Sequence, residues 1–221
     1  ELNIPLFVYN EQPEDILPQL IERLQIDQLF FQKEWTSEEQ EVTRKVKESC
    51  SASISCSESY DQFLIHPEDL PYKSIEAIPN VFTQWRKKCE KSLNIRKEVS
   101  IAAFPETNFE ENSTSIPTLQ DLNLESFKPD HRTAFPFKGG EQEALNRIED
   151  YFWQTKKLAV YKKTRNGLTG KNYSSKLSAW LANGSISART IYWKIKAFEQ
   201  EETKNESTYW LFFELMWRDF F

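Results

Sequence analysis

The sequence predicts an α/β domain followed by an all-α domain. Three observations carry this expectation. Short apolar runs alternate with amphipathic stretches through residues 1–93, the pattern of a parallel sheet with crossover helices. Residues 94–138 lose periodicity and hold Pro105, Pro117, Pro129 and Pro136, which marks an interdomain linker too long for an ordinary loop. From Gly139 to Phe221 the strand signals vanish and apolar residues recur at helical spacing.

In chain order, IPLFVY (4–9) is an apolar run of strand length. PEDILPQLIERL places Ile16, Leu17, Leu20, Ile21 and Leu24 at helical spacing, and QLFFQ (28–32) is a second strand candidate. Ser37 and Gln40 stand at capping-box spacing and predict a helix start in TSEEQEVTRKVKES. DQFLIH (61–66) is the third strand candidate, and SIEAIPNVFTQWRKKCEKSL contains a third helix. In the linker, Phe104, Phe109, Phe127 and Phe135 are costly to leave in water, so part of it is expected to lie against the domains. The second domain begins with GGEQEALNRIEDYFWQ, where Leu145, Ile148 and Phe152 share a helix face. SARTIYWKIKAFEQ follows with Ser187 as its cap. STYWLFFELMWRDFF is apolar almost all round and is expected to be buried.

Composition narrows the function classes. The 221 residues carry 34 acidic and 28 basic side chains, a net charge of −6. A chain of this length can bury a conventional core without disulfides or metal. The odd set Cys50, Cys56 and Cys89, with isolated His66 and His131, has no zinc-type spacing and no Cys–His nucleophile pattern. Reduced thiols and a soluble, cytoplasmic protein are expected, since no leader and no apolar run near 18 residues is present. The chain opens without Met on an apolar run and stops in an uncapped helical pattern, so a fragment is expected.

Charge is unevenly distributed. Between Tyr151 and Phe198 there are ten Lys or Arg and no Asp or Glu, although the whole chain is acidic. Three of the five glycines, Gly167, Gly170 and Gly184, fall in this window. TRNGLTGKNYSSKLS favours turns and leads into a short helical run, with Lys176 expected in its first turn. Hydroxyls and free N–H groups there suit an anion, with Tyr161, Tyr173 and Trp180 available to stack on rings. The plainer alternative is a basic loop with an ordinary cap. The predicted final helix places Trp210, Glu214, Trp217, Arg218 and Phe221 on one face. Periodicity leaves two uses open for that face, an ordinary Glu–Arg pair or the floor of a pocket for a flat ligand.

The second domain resembles the photolyase/cryptochrome flavoproteins, most of all their DASH cryptochrome branch. The residues that carry the resemblance are GGEQEALNRI (139–148), YKKTRNGLTGKNYSSKLSAWLANGSISARTIY (161–192) and YWLFFELMWRDFF (209–221). The first domain is similar to the family's α/β antenna domain in pattern only, chiefly around QKEWTSEEQEV. The resemblance implies that residues 139–221 are part of a helical FAD-binding domain and that residues 1–93 lack the antenna domain's first strand. The second half of the flavin pocket and the tryptophan relay of relatives lie beyond Phe221. Ala179, where the family usually has Pro, and Asn183, where Leu, Met or Thr is common, depart from the pattern without abolishing phosphate binding.

By this resemblance Tyr161, Ser174, Ser175, Lys176, Leu177 and Ser178 match flavin-binding positions. Arg165 matches a DNA-backbone contact, and Glu214, Trp217 and Arg218 match the segment that faces a damaged base pair. Glu34 matches an acid that contacts a methenyltetrahydrofolate antenna. The implied activity is light-driven splitting of cyclobutane pyrimidine dimers by electron transfer from excited reduced FAD, in damaged and preferentially single-stranded DNA. The cofactor carries the chemistry, no side chain acts as acid or base, and no metal is implied. The complete protein is expected to be monomeric and free of membrane. Two alternatives stand beside this one: a non-enzymatic blue-light photoreceptor of the same fold, and a flavin-free nucleic-acid-binding module.

Overall fold

The computed structural model describes residues 4–50, 54–99 and 110–221. The chain forms two compact units, Glu1–Tyr60 with Val99–Lys128, and Asp61–Glu98 with Pro129–Phe221.

The first unit is built on a βαβ motif. Helix α1 (Pro13–Leu24) opens on a proline whose missing N–H costs nothing at that position, with Glu14 and Asp15 complementing the helix dipole. It ends at Gln25, which takes a left-handed conformation (φ 54°). Strands β1 (Gln28–Gln32) and β2 (Ser55–Ser59) pair in parallel, Gln28 opposite Ser55 through Gln32 opposite Ser59. Helix α2 (Ser37–Ser49) is the crossover that a parallel pair requires. Helices α1 and α2 pack together, burying Leu20, Ile21 and Val46, and Lys45 reaches Glu14 at 3.2 Å.

The second unit is helical, with no strand among its described residues. Its elements are α3 (Phe82–Lys91), α4 (Glu141–Glu149), α5 (Tyr161–Thr164), α6 (Ser178–Ala182), α7 (Ala188–Glu201) and α8 (Glu206–Phe220). A π-helical turn, Asp150–Gln154, extends α4 and buries Tyr151 and Phe152. Ile148, Leu158, Ile191, Ile195, Phe198 and Met216 complete the centre of the core. As expected, Ser187 caps α7 by accepting from Thr190 N–H at 3.0 Å. Asn205 caps α8, and Thr208 closes a reciprocal capping box.

Several expectations are corrected. IPLFVY is not a strand: Val8 N–H donates to Thr114 Oγ1 and the Leu6 carbonyl accepts from Asn112, so side chains replace a ladder. DQFLIH is buried at Leu64 and Ile65 as its apolarity requires, but it runs as an irregular segment inside the helical unit. The polar run SCSES supplies the second strand instead, recognisable only by its pairing with β1. Thr36 rather than Ser37 occupies the cap position of α2. In the segment read as a linker, Phe135 packs on Trp180 with ring centroids 5.1 Å apart, whereas Phe127 is exposed. Phe104 and Phe109 lie outside the described residues. Helix α8 is half-buried: Leu211, Phe212, Leu215 and Met216 face the core, while Trp210, Phe213, Glu214 and Trp217 reach solvent.

Candidate functional site

Residues 171–178 form an irregular loop that enters the short helix α6. The loop is held from behind by Arg147, which the sequence reading did not single out. Arg147 is 2% exposed. Its guanidinium donates to the carbonyls of Lys171 (3.0 Å), Ser174 (3.1 Å) and Ser175 (3.0 Å) and to Asn172 Oδ1 (2.9 Å). Asp150 pairs with it at 2.6 Å, and it stacks between the rings of Phe137 and Tyr151. Burial pulls its pKa down from the usual arginine value, opposed by Asp150. A charged residue on the same face as Ala144, Ile148 and Tyr151 was the available signal. Upstream, a Cβ on Gly167 would meet the Tyr173 side chain at 2.8 Å, so the close approach of these two segments requires glycine.

Lys176 adopts a left-handed backbone (φ 64°) and precedes α6 rather than lying in its first turn. Its ammonium sits over the Tyr173 ring, 3.5 Å from the centroid. Trp180 is core, packed against Phe135 and Phe137 with its indole N–H on the Lys138 carbonyl, so it is not available to stack on a ligand.

The loop also lines a cleft of about 550 Å³, whose lining does not include Arg147. Tyr161, Ser174, Ser175, Lys176, Leu177 and Ser178 all border it, with Leu181, Leu211 and Leu215 of α6 and α8. Burial, reinforced by the Glu214 carboxylate, pushes the Tyr161 hydroxyl up to about 12, so it is a neutral phenol at pH 7. Glu214 and Arg218 also border this cleft, and both border a second cavity of about 710 Å³ lined by Arg165, Trp210, Phe213, Trp217 and Phe221. The face predicted for the final helix therefore exists as a concave aromatic surface. Arg165 and Trp217 lie on that surface and not in the serine-lined cleft. Two side chains of α8 connect the sites.

Arg165 pairs with Glu214 and lies over the Trp210 ring at 4.6 Å. Arg218 donates to the Gln62 carbonyl at 2.6 Å. Trp217 stacks between Phe82 (3.7 Å) and Phe221 (5.3 Å). Beside Arg218, Asp219 turns inward and accepts from the N–H groups of Leu64 (3.0 Å) and Ile65 (2.8 Å). Burial pushes its carboxyl up to about 6, opposed by those two hydrogen bonds. Asp219 thus anchors the segment that the sequence reading took for a strand.

The basic window is partly neutralised in space. Lys156 pairs with Glu202, Lys162 with Glu206, Arg165 with Glu214 and Lys196 with Glu199. Each of these carboxylates follows the window in sequence; Glu199 pairs within α7, and the other three fold back onto the window. In the first unit, Glu34 borders a cavity of about 340 Å³ with Lys33, Gln40, Thr43, Arg44, Lys47 and Glu58, and Gln32 donates to its carboxylate at 2.8 Å. No helix among the described residues is long and apolar enough to cross a membrane.

Residues 1–108 match the family described as DNA photolyase. The cryptochrome DASH of Gloeobacter violaceus is 42% identical over 222 residues, covering 100% of this chain and 44% of that protein. That of Danio rerio is also 42% identical, covering 98% of this chain and 42% of that protein. A crystal structure of a Synechocystis sp. cryptochrome matches with TM-score 0.82 and 37% identity, over 95% of this chain and 43% of that one. The chain belongs to the photolyase/cryptochrome family. A class III photolyase from Agrobacterium tumefaciens, 21% identical with TM-score 0.65, shares the fold. The α/β unit with its parallel strand pair and the helical unit are those of a photolyase-type chain. This chain spans less than half the length of the curated relatives it matches.

Proposed function

We propose that this chain belongs to a light-dependent DNA-repair flavoprotein of the DASH type, acting on cyclobutane pyrimidine dimers in single-stranded DNA. The observation that carries this reading is the pair Glu214 and Arg218, which borders both the serine-lined cleft and the aromatic cavity. A cofactor in one and a base in the other would share a wall one helix thick.

The residues of the cleft fit FAD. Ser174, Ser175, Lys176 and Ser178 offer hydroxyl, N–H and ammonium donors for a diphosphate. Leu177, Leu181, Leu211 and Leu215 offer an apolar wall for a flat ring system. The one carboxylate on the lining, Glu214, is already paired with Arg165. A reduced FAD held by these residues would supply light-driven electron transfer to the dimer, the electron returning to it once the ring has split.

The protein's own contribution is binding and orientation. Trp217 borders the cavity, and a base turned out of its stack would take the place of the exposed Phe221 ring on its outer face. Glu214 gives one carboxylate oxygen to Arg165, leaving Oε2 for a base N–H. Arg165 and Arg218 supply positive charge for the backbone at the rim of the cavity. The same reading assigns a methenyltetrahydrofolate antenna to the cavity beside Glu34, where an anionic ligand would compete with Glu41 and Glu48 for Arg44 and with Glu58 for Lys47.

The absorption spectrum of the purified protein tests this reading. Flavin bands are expected, and their absence after reconstitution with FAD would leave only a flavin-free nucleic-acid-binding module. Flavin bands without light-dependent loss of dimers would favour a photoreceptor of the same fold.

A further inference from the structure

We infer that Arg147 is the positioning residue of the anion-binding loop, turning the N–H groups of Ser175 and Lys176 toward the serine-lined cleft. The inference rests on the diphosphate assignment proposed above. In a planar trans peptide the carbonyl of one residue and the N–H of the next point in opposite directions. Arg147 binds the Ser174 carbonyl at 3.1 Å and the Ser175 carbonyl at 3.0 Å. The N–H groups of Ser175 and Lys176 must therefore face away from Arg147. The same residues border the cleft, and Arg147 does not.

Neither N–H has an acceptor among the described residues. Lys176 follows in the left-handed region, φ 64°. Successive N–H groups with such a left-handed residue form a concave anion nest. An outward-facing nest would normally be free to flip its peptides. Here each flip would strand a buried guanidinium N–H without its acceptor.

The arginine is suited to this task in a way lysine is not. Its five bonds run from three different nitrogens in one plane: Nε to Ser175, Nη1 to Asp150 and Asn172, and Nη2 to Lys171 and Ser174. A single ammonium cannot span that fan. Stacking between Phe137 (4.9 Å) and Tyr151 (4.7 Å) fixes the plane itself. Arg147 touches no ligand in this scheme; it acts through the loop.

The test compares the full-length protein that carries this chain with its Arg147→Lys variant, titrating each with FAD, riboflavin and inorganic pyrophosphate. Affinity for FAD and for pyrophosphate is expected to fall about tenfold or more, the worth of roughly one charge-assisted hydrogen bond, while riboflavin binding stays unchanged. Asp219→Asn serves as a destabilised control outside the loop and should keep the wild-type preference for FAD over riboflavin. Equal loss of riboflavin and FAD in Arg147→Lys, or unchanged pyrophosphate affinity, would overturn the assignment. If Arg147→Lys does not fold, Asn172→Ala carries the test, since it loosens one of the five bonds; unweakened pyrophosphate binding there refutes the role. Wild-type protein that binds pyrophosphate but not FAD would refute the flavin reading and leave Arg147 standing. FAD binding that ignores the Arg147 substitution would do the reverse, and a wild type that binds neither sinks both.

Discussion

Trp217 stacks on Phe82 with ring centroids 3.7 Å apart and planes inclined by 18°. One face of the indole is thereby committed to the helical unit's core and the other carries the exposed Phe221 ring, while the side chain still borders the aromatic cavity. Trp217 thus packs against the core and also lines the cavity. Trp217→Ala should cost about 3 kcal/mol in denaturant unfolding, the low end for large aromatic truncations. It should also weaken binding of a dimer-containing oligonucleotide by about 1–3 kcal/mol relative to an undamaged one. Trp217→Phe should recover most of the stability. A variant that loses stability but keeps its preference for damaged DNA would leave Trp217 as packing alone.

Arg165 and Glu214 form a pair that a DNA phosphate would have to compete with under the proposed function. Arg165→Ala should reduce the slope of log affinity against log salt by about one for any single-stranded oligonucleotide. Glu214→Gln should act oppositely on undamaged strands, raising low-salt affinity by releasing Arg165, while eroding discrimination for the dimer. Filter binding at several salt concentrations distinguishes these outcomes from a pair that is merely structural, which would leave both slopes unchanged.

Ser175 is buried, whereas Ser174 and Ser178 are accessible at the cleft. A like-charge probe of the cradle therefore belongs at the accessible pair. Ser174→Asp with Ser178→Asp should expel FAD while the far-ultraviolet circular dichroism stays that of wild type, because carboxylates would face the diphosphate. Stoichiometric flavin retained through gel filtration would place the cradle elsewhere.

The buried Asp219 gives a pH signature. Its carboxyl is held near 6 in the folded protein against an ordinary value of 3.8, so the native state binds the proton more tightly than the unfolded chain. Stability contributed by this group is then fully present below about pH 4 and is lost as pH rises through about 6. Asp219→Asn removes that dependence. The stability difference between wild type and variant should fall on the order of 2–3 kcal/mol between those pH values. At any pH the variant also leaves one of the Leu64 and Ile65 N–H groups poorly matched, which costs about 1–3 kcal/mol. Urea melts across the pH range, showing a constant difference, would refute the burial-driven shift.

Much of the fold was legible from periodicity, because α1, α3, α4 and α7 each bury residues that recur at helical spacing, whereas α2 buries only Val46 and was legible from its cap signal. The strands were less so. Leu64 and Ile65 are as buried as a strand would make them, yet their N–H groups go to Asp219, 154 or more residues away in sequence. Apolarity reports burial and not the hydrogen-bond partner. SCSES lacks the apolar alternation that announces a strand, and its pairing with β1 is a tertiary fact. At the candidate site, the hydroxyls and turns of residues 171–178 suggested an anion site and the family resemblance singled out residues 174–178, whereas the shared face of α8 followed from helical spacing. Most of the neutralisation of the basic window did not, since Glu202, Glu206 and Glu214 return to it only through tertiary packing, Glu199 alone pairing locally with Lys196 on α7. Arg147 was visible only as a charge on a buried helix face.

Light-dependent loss of a single cyclobutane dimer in a single-stranded oligonucleotide, measured chromatographically with the FAD-loaded full-length protein, bears most directly on the proposed function. Loss of the dimer under blue light and not in darkness, slowed in Glu214→Gln and Trp217→Ala at saturating DNA, is the predicted result. A protein that retains its flavin, binds the oligonucleotide and leaves the dimer intact under light would contradict it.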